Sequence, residues 1–129
     1  MIASPGRRRL IWIALAVYWL GLFVATHLPP RHVPPIPVND KIEHVGGFTI
    51  LAMLLSILID RRSATRAFLI VVGICLIYGA LDEWTQPFVG RSCDLRDWLA
   101  DSCGAIVGSL FGLLITRRFS PFAGVRFER

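Results

Sequence analysis

The stretch Tyr78–Asp101, YGALDEWTQPFVGRSCDLRDWLAD, is the most polar part of an otherwise apolar chain. It holds five acidic residues, two arginines and two tryptophans between two apolar segments. Helical spacing places its polar residues on one face of each of two consecutive helices: Tyr78, Asp82 and Gln86 on the first, and Asp94, Asp97 and Asp101 on the second. Pro87 and Gly90 separate the two helices. We expect the two polar faces to converge on one site.

The composition excludes an ordinary soluble domain. Of the 129 residues, 54% are hydrophobic, and the mean hydropathy is +0.59, which is typical of a small integral membrane protein. The net charge of +5 would ordinarily suggest a nucleic-acid partner, but the basic residues lie in short blocks between apolar segments. This is a pattern of membrane topology. We therefore predict a single membrane domain over residues 1–129 and no nucleic-acid partner.

Four apolar segments are long enough to cross a bilayer as helices. They cover about residues 10–28, 41–59, 67–85 and 95–116. A cleaved signal peptide is the alternative reading of the first segment, but no small-residue cleavage site follows it. Between the first two segments, residues 29–40 hold five of the eight prolines and should be an extended strap. The predicted fold is an all-α integral membrane bundle of four transmembrane helices.

Lysine and arginine alternate between the segments that connect the predicted spans. Ten of the fourteen lie before the first span, between the second and third, and after the fourth, against four in the other two connections. The positive-inside rule therefore predicts that both termini are cytoplasmic and that the first and third connections face outward.

Three glycines at four-residue spacing, Gly104, Gly108 and Gly112, form a small-residue seam in the fourth span. Such a seam allows two helices to approach closely. Packing within the chain is the simplest interpretation, and a homo-oligomer that joins two copies through the same seam is the alternative. The sequence leaves the oligomeric state open.

The predicted topology brings ionisable residues of three spans to one level. His44 lies about one turn into the second span, Asp82 near the end of the third, and Asp101 about two turns into the fourth. A charged side chain at the bilayer centre costs about 2.5–3.5 kcal/mol, so these groups should face inward. Seven of the nine acidic residues fall on this side, against four lysines and arginines. Protonated carboxyl groups, a cation, a metal ion or a basic ligand group would each offset the deficit of positive charge.

The polar motifs resemble those of the VanZ-like family. The Asp-Lys-x-x-His pattern of that family reads Asp40-Lys41-Ile42-Glu43-His44 here. Its second block, Tyr-x-x-x-Asp-Glu-x-x-Gln-x-Phe with a Gly-Arg turn and an Asp-rich helix start, is similar to Tyr78, Asp82, Glu83, Gln86, Phe88, Gly90, Arg91, Asp94 and Asp97. The resemblance covers about residues 40–112. The chain departs from the pattern at Asp101, where we expect Asn, and at Cys93, where a small residue such as glycine is more usual.

This resemblance implies a multi-pass protein of the bacterial cytoplasmic (inner) membrane with a function in the cell envelope. The name-giving members are associated with resistance to the glycopeptide teicoplanin. The motifs and polar faces together give the candidate ligand-binding residues of an outward-facing pocket: Asp40, Lys41, His44, Tyr78, Asp82, Glu83, Gln86, Arg91, Asp94, Asp97 and Asp101.

Two functions fit this pocket. A non-catalytic protein would bind a membrane lipid, a lipid-linked envelope precursor or a lipid-tailed glycopeptide, with Lys41 and Arg91 on a phosphate group. A membrane enzyme would act on a lipid-linked substrate, with His44, Asp82 and Glu83 as candidate catalytic residues. Its divalent cation would be held by candidate metal ligands Asp82, Asp97 and Asp101.

Less specific interpretations of the same residues also exist. A buried polar network can serve only to fix helix register, and Arg91 can simply pair with Asp94 or Glu83. A proton-linked transporter is disfavoured because four spans without an internal repeat are few for one chain. No hydrolase motif and no known cofactor are recognised. The sequence does not decide the ligand, the metal requirement, the physiological role or whether the protein is an enzyme.

Overall fold

The computed structural model of the protein describes residues 5–29, 39–59 and 63–118. Four α-helices follow one another: α1 (Pro5–Thr26), α2 (Asp40–Leu58), α3 (Ala64–Thr85) and α4 (Leu95–Arg118), with a short 3₁₀ helix, Gln86–Val89, before α4. The described residues contain no strand. All four α-helices are long and apolar enough to cross a membrane. The prediction of an all-helical, multi-pass membrane fold is thus confirmed, while most of the predicted Pro-rich strap lies outside the described residues.

The limits of α1 follow from its prolines. The helix begins at Pro5, several residues before the predicted span, because a proline ring suits the first helical turn. It ends at Thr26, two residues before the predicted end. Pro29 follows closely, and the residue before a proline disfavours the helical conformation.

Capping side chains set the starts of α2 and α3. The Asn39 side chain accepts a hydrogen bond from the backbone N–H of Lys41 at 2.9 Å. The Ser63 hydroxyl accepts one from the backbone N–H of Arg66 at 3.3 Å. Each cap satisfies a donor that the first turn of a helix leaves free. The cap at Ser63 therefore extends α3 beyond the predicted start at residue 67.

The most extensive contact in the bundle joins α2 to α4 along the glycine seam. A Cβ atom at Gly108 would overlap the backbone of Thr49, and one at Gly112 would lie 2.5 Å from the Ser56 Cβ. The seam is therefore filled by α2 of the same chain. This agrees with packing within the chain, the simplest interpretation of the seam, while a homo-oligomer stays a prediction.

An apolar core lies between the helices and fixes their positions. Its buried members are Leu15, Phe48, Leu51, Ala52, Leu55, Leu58, Val71, Cys75 and Ala105. The helix α1 packs onto this core and donates a hydrogen bond from the Tyr18 hydroxyl to the Gly47 carbonyl oxygen at 2.9 Å. The Trp98 indole N–H donates to the Leu76 carbonyl oxygen at 3.0 Å and so ties α4 to α3.

Contacts between helix ends show that α1 runs parallel to α3 and that α2 runs parallel to α4. Thr26, at the end of α1, bonds to Asp82 near the end of α3, and His44, near the start of α2, bonds to Asp101 near the start of α4. The backbone N–H of Asp94, just before α4, donates to Glu83 near the end of α3, so all four of these ends lie on one side and consecutive helices run antiparallel. We call this side of the bundle the polar end. Large apolar side chains cover the outer faces between the two ends, such as Leu10, Val17, Leu69, Ile77 and Leu114. Such exposure suits a lipid environment.

Candidate functional site

Two pairs of side chains, each a basic residue of α2 with an aspartate of α4, join the two helices at the polar end. Lys41 makes a close ion pair with Asp97. One turn deeper, His44 Nδ1 lies 2.8 Å from Asp101 Oδ1. Positions three or four apart share a helix face, so the spacing of both pairs places one above the other. With Asp94, these residues form what we call the α2–α4 polar cluster.

Burial increases from the first pair to the second. The Lys41 side chain is 37% exposed, whereas only 5% of the His44 side chain and 2% of the Asp101 side chain are exposed. A ligand can therefore reach Lys41 directly, but it must enter the bundle to reach His44. The Asp101 carboxylate holds the imidazole in one orientation, as a carboxylate does for a catalytic or metal-binding histidine.

Arg91 pairs with Asp40 and with neither of the two carboxylates considered for it. Arg91 Nη2 lies 3.8 Å from Asp40 Oδ1, and Lys41 Nζ lies 3.8 Å from Asp40 Oδ2. Half of the Asp40 side chain is exposed, and such solvent-accessible pairs contribute only about 0–1 kcal/mol. Arg91 is therefore held at the mouth of the site by a weak partner, whereas Lys41 also has its close pair with the buried Asp97.

Asp94 caps α4 and touches both neighbouring helices. Its Oδ1 accepts a hydrogen bond from the Arg96 backbone N–H at 2.9 Å, and its Oδ2 lies 3.3 Å from Lys41 Nζ. The Arg96 N–H and then the Lys41 ammonium group stabilise the carboxylate, and they hold the pKa of Asp94 below its ordinary value. Asp94 thus positions the start of α4 as well as belonging to the site.

A second group of polar residues joins α1 to α3, and we call it the α1–α3 polar cluster. It consists of Thr26, His27, Asp82, Thr85 and Gln86. The Thr26 hydroxyl donates to Asp82 Oδ1 at 2.9 Å. The His27 Nε2 atom lies 2.8 Å from the Thr85 hydroxyl oxygen. Asp82 is therefore tied to α1 through its Oδ1.

Glu83 connects the two clusters. Its Oε1 accepts a hydrogen bond from the Gln86 amide at 3.1 Å, and its Oε2 accepts one from the Asp94 backbone N–H at 2.8 Å. The same Gln86 amide also donates to Asp82 Oδ2 at 3.2 Å. Glu83 is buried, and within the described part of the chain no lysine or arginine pairs with it. Its two hydrogen-bond donors among the described residues are therefore neutral groups.

Two buried oxygen atoms at the polar end have no hydrogen-bond partner among the described residues: Asp101 Oδ2 and the Tyr78 hydroxyl. The Tyr78 hydroxyl is close enough to Asp82 and Asp101 to interact with their charges, but it makes no hydrogen bond of ordinary geometry with either. Its ring stacks on Phe48 with centroids 5.5 Å apart. Native structures leave few buried polar groups unpaired, and such groups often mark functional sites.

Two groups of side chains at the polar end have the spacing of metal ligands. One consists of His44, Glu83 and Asp101, and the other of Asp40, His44 and Asp97. Within each group one ligand atom per residue lies within 4.8 Å of the others. The candidate set of Asp82, Asp97 and Asp101 is not such a group among the described residues, because Asp82 faces α1.

Comparison with known proteins places these motifs in a family. The sequence model of the VanZ/LLP1 family matches residues 9–116. The chain belongs to the VanZ/LLP1 family. An uncharacterized protein of Schizosaccharomyces pombe is 31% identical to it over 108 residues, which cover 81% of this chain and 65% of the relative. The chain thus spans less than two thirds of that relative's length. No solved structure matches the chain.

In this VanZ/LLP1 chain, every candidate ligand-binding residue lies at the polar end, distributed over the two clusters and their border. Sequence reasoning missed Thr26, His27 and Thr85, which all contact each other or Asp82. A Thr-His pair at the end of an apolar span was the available signal. In a bundle of antiparallel spans, this Thr-His pair and Asp82 lie at the same depth in the membrane.

Proposed function

We propose that this VanZ/LLP1 protein binds the polar part of an amphipathic cell-envelope molecule at its polar end. The ligand is an envelope lipid, a lipid-linked precursor or a lipid-tailed glycopeptide, and teicoplanin resistance is one consequence of such binding. One observation carries the proposal: ionisable groups from α2, α3 and α4 meet around buried oxygen atoms that lack a partner. A network that only fixed helix register would pair its own buried groups.

The mouth of the site offers cations that a phosphate group can recruit. Arg91 is held by the half-exposed Asp40. Lys41 has a close pair with the buried Asp97 and also contacts Asp40 and Asp94, which are about half exposed. Solvent-accessible ion pairs are weak, so an anionic head group can replace one carboxylate without a large loss of stability. The planar guanidinium group of Arg91 also suits bidentate binding of phosphate.

An exposed apolar surface lies at the same end of the bundle, near the end of α3, and suits the tail of the ligand. Trp84 and Phe88 are 66% and 78% exposed. Their rings meet edge to face with centroids 6.3 Å apart. Exposed aromatic residues of this kind are typical of the membrane interface, where a lipid has its head group beside its first methylene groups.

The charge distribution supports an outward-facing polar end in the cytoplasmic membrane. Exposed arginines mark the opposite end of the bundle: Arg8, Arg9, Arg66 and Arg117. Under the positive-inside rule that end, with both termini, is cytoplasmic. Lipids and antibiotics of the outer leaflet then have access to Lys41 and Arg91.

The relative in Schizosaccharomyces pombe favours a lipid as the general ligand. Fungi build no peptidoglycan, which is the layer that glycopeptide antibiotics target. A function shared across the VanZ/LLP1 family is therefore broader than glycopeptide resistance, and membrane lipids are the ligands common to both kinds of cell.

Copurification tests the proposal. The full chain, Asp82→Asn and Glu43→Gln are purified in mild detergent, and the bound lipids are extracted and quantified by mass spectrometry. Glu43 is exposed on α2 and lies outside the pocket, so it controls for the loss of one charge. We expect a specific lipid with the parent and with Glu43→Gln, and about tenfold less with Asp82→Asn, which corresponds to about 1.4 kcal/mol. Equal amounts with all three proteins would contradict the proposal.

A second candidate function is a metal-assisted enzyme that acts on a lipid-linked substrate. The His44–Asp101 pair favours it, because a carboxylate-oriented imidazole is a common general base. Turnover of the copurified lipid separates the two functions. An enzyme loses turnover in His44→Gln while it keeps the bound lipid, whereas a binding protein converts no lipid in either form.

A further inference from the structure

We propose that His44, Glu83 and Asp101 bind one divalent first-row transition-metal ion, such as Zn²⁺ or Mn²⁺. The three residues come from α2, α3 and α4, and all of them are buried. One ligand atom from each residue lies within 4.8 Å of the other two. The ion would therefore join three of the four helices at the polar end.

The spacing and the types of atom suit such an ion. Nitrogen and oxygen ligands lie about 2.0–2.2 Å from Zn²⁺, so two ligands of one ion are at most about 4.4 Å apart. Side-chain movements of a few tenths of an ångström bring the ligand atoms of His44, Glu83 and Asp101 into this range. Ca²⁺ and Mg²⁺ prefer oxygen alone, while one imidazole with two carboxylates is typical of transition metals.

The charges of the site also favour a bound cation. The two buried carboxylates, Glu83 and Asp101, pair with no lysine or arginine within residues 5–29, 39–59 and 63–118. The nearest cations, Lys41 and Arg91, already face Asp40, Asp94 and Asp97. Buried carboxylates without a counter-charge are strongly unfavourable, and a metal ion supplies that charge.

The unpartnered oxygen of Asp101 is an independent sign of a ligand. Asp101 is 1% exposed, and its Oδ2 has no hydrogen-bond partner among the described residues. This oxygen faces α3 at Gly79, where a Cβ atom would lie 3.1 Å from it. Glu83 is one turn further along α3, on the same face as Gly79. The free oxygen is thus directed toward the face from which Glu83 projects.

The group of Asp40, His44 and Asp97 is the weaker candidate. It shares His44 with the proposed site, but Asp40 is half exposed and pairs with Arg91, and Asp97 already pairs with Lys41. A carboxyl group of Glu83 or Asp101 that keeps its proton is the competing account of the buried charges. Such a protein would bind no ion at this site.

Metal titration of the purified full chain tests the proposal. The protein is stripped with EDTA and titrated with Zn²⁺ or Mn²⁺ alone, and Ca²⁺ serves as the comparison ion. We expect one transition-metal ion per chain, and about 10- to 100-fold weaker binding by Glu83→Gln and by Asp101→Asn. The control Glu43→Gln removes the same charge from the exposed face of α2 and should bind like the parent. No stoichiometric binding, or an equal loss in Glu43→Gln, overturns the proposal.

A spectroscopic measurement on the parent chain needs no variant and so does not depend on whether a variant folds. Electron paramagnetic resonance of bound Mn²⁺ or Cu²⁺ should show hyperfine coupling to an imidazole nitrogen, as expected for His44. An environment of oxygen alone overturns the proposal. The titration uses the metal without lipid, and the copurification experiment uses lipid without added metal. Failure of one proposal is therefore distinguishable from failure of the other.

Discussion

The helices α2 and α4 meet along two stretches of opposite chemistry. Along the glycine seam, Gly108 lies against the Thr49 backbone with no space between them, and the Ser56 hydroxyl donates to the Ser109 hydroxyl oxygen at 3.4 Å. At the polar end the same helices carry His44 and Asp101, and one oxygen of the buried Asp101 carboxylate has no hydrogen-bond partner in the described part of the chain. Close packing without unpaired groups stabilises a fold. We infer that the seam provides stability and that the polar end gives up stability for binding.

The largest expected effect comes from filling the seam. In Gly108→Ala the new Cβ overlaps the Thr49 backbone, so α2 and α4 must move apart. We expect a loss of about 1–3 kcal/mol or more in the free energy of unfolding, measured by thermal unfolding in detergent. The same substitution at Gly73, where nothing lies within 4 Å of the new Cβ, is the matched control. An equal loss in Gly73→Ala would show that the seam has no special role.

A smaller effect is expected where α1 meets α3. Thr26→Val keeps the shape of the side chain but removes the hydrogen bond to Asp82 Oδ1. Hydrogen bonds to charged groups contribute about 1.5–3 kcal/mol, and the nearby His27 should offset part of the loss. We therefore expect destabilisation below that of Gly108→Ala in the same unfolding assay. No change at all would mean that Asp82 is not held by α1.

At the centre of the polar end, we expect a substitution to affect ligand binding much more than the stability of the fold. Asp101→Asn keeps an oxygen that can accept from His44 but removes the negative charge. For the proteins stripped of metal and lipid, we expect the free energies of unfolding to differ by less than about 1 kcal/mol, while Asp101→Asn binds no metal and less lipid. A collapse of stability comparable to that of Gly108→Ala would show that this charge is structural.

The smallest effect concerns Asp94 and acid pH. Its pKa is lowered in the folded state, so its contribution is present above its ordinary pKa and is lost as the pH falls through the folded-state pKa. Asp94→Asn should lower the unfolding temperature slightly at neutral pH and leave it unchanged below the folded-state pKa, so the acid-range dependence disappears. An unchanged pH profile would mean that the contacts with Arg96 and Lys41 do not stabilise the carboxylate.

Much of the fold was predictable because its signals are local. Apolar length predicts the spans, and helical spacing places Lys41 and His44 on one face and Asp97 and Asp101 on another. The partners of these residues depend on packing, which a single sequence does not contain. The spacing of Gly108 could not tell whether α2 or a second chain fills the seam.

The candidate metal ligands His44, Glu83 and Asp101 also depend on packing that a single sequence does not contain. Asp82 was an obvious candidate because it begins the densest run of acids, yet tertiary packing turns it toward Thr26. Glu83, its neighbour, points instead to His44 and Asp101. Gly79 gave no signal at all, since an isolated glycine in an apolar helix has many explanations. Only the structure shows that its missing side chain leaves room for the Asp101 carboxylate.

Native mass spectrometry of the parent, Asp101→Asn and Gly108→Ala tests the division between seam and polar end most directly. The proteins are released from their own membranes, and bound lipid and metal are measured together with the unfolding temperature. We predict that Asp101→Asn loses its ligands and unfolds near the temperature of the parent stripped of metal and lipid, whereas Gly108→Ala unfolds earlier and keeps its ligands while it is folded. Identical bound ligands on the parent and Asp101→Asn would contradict it.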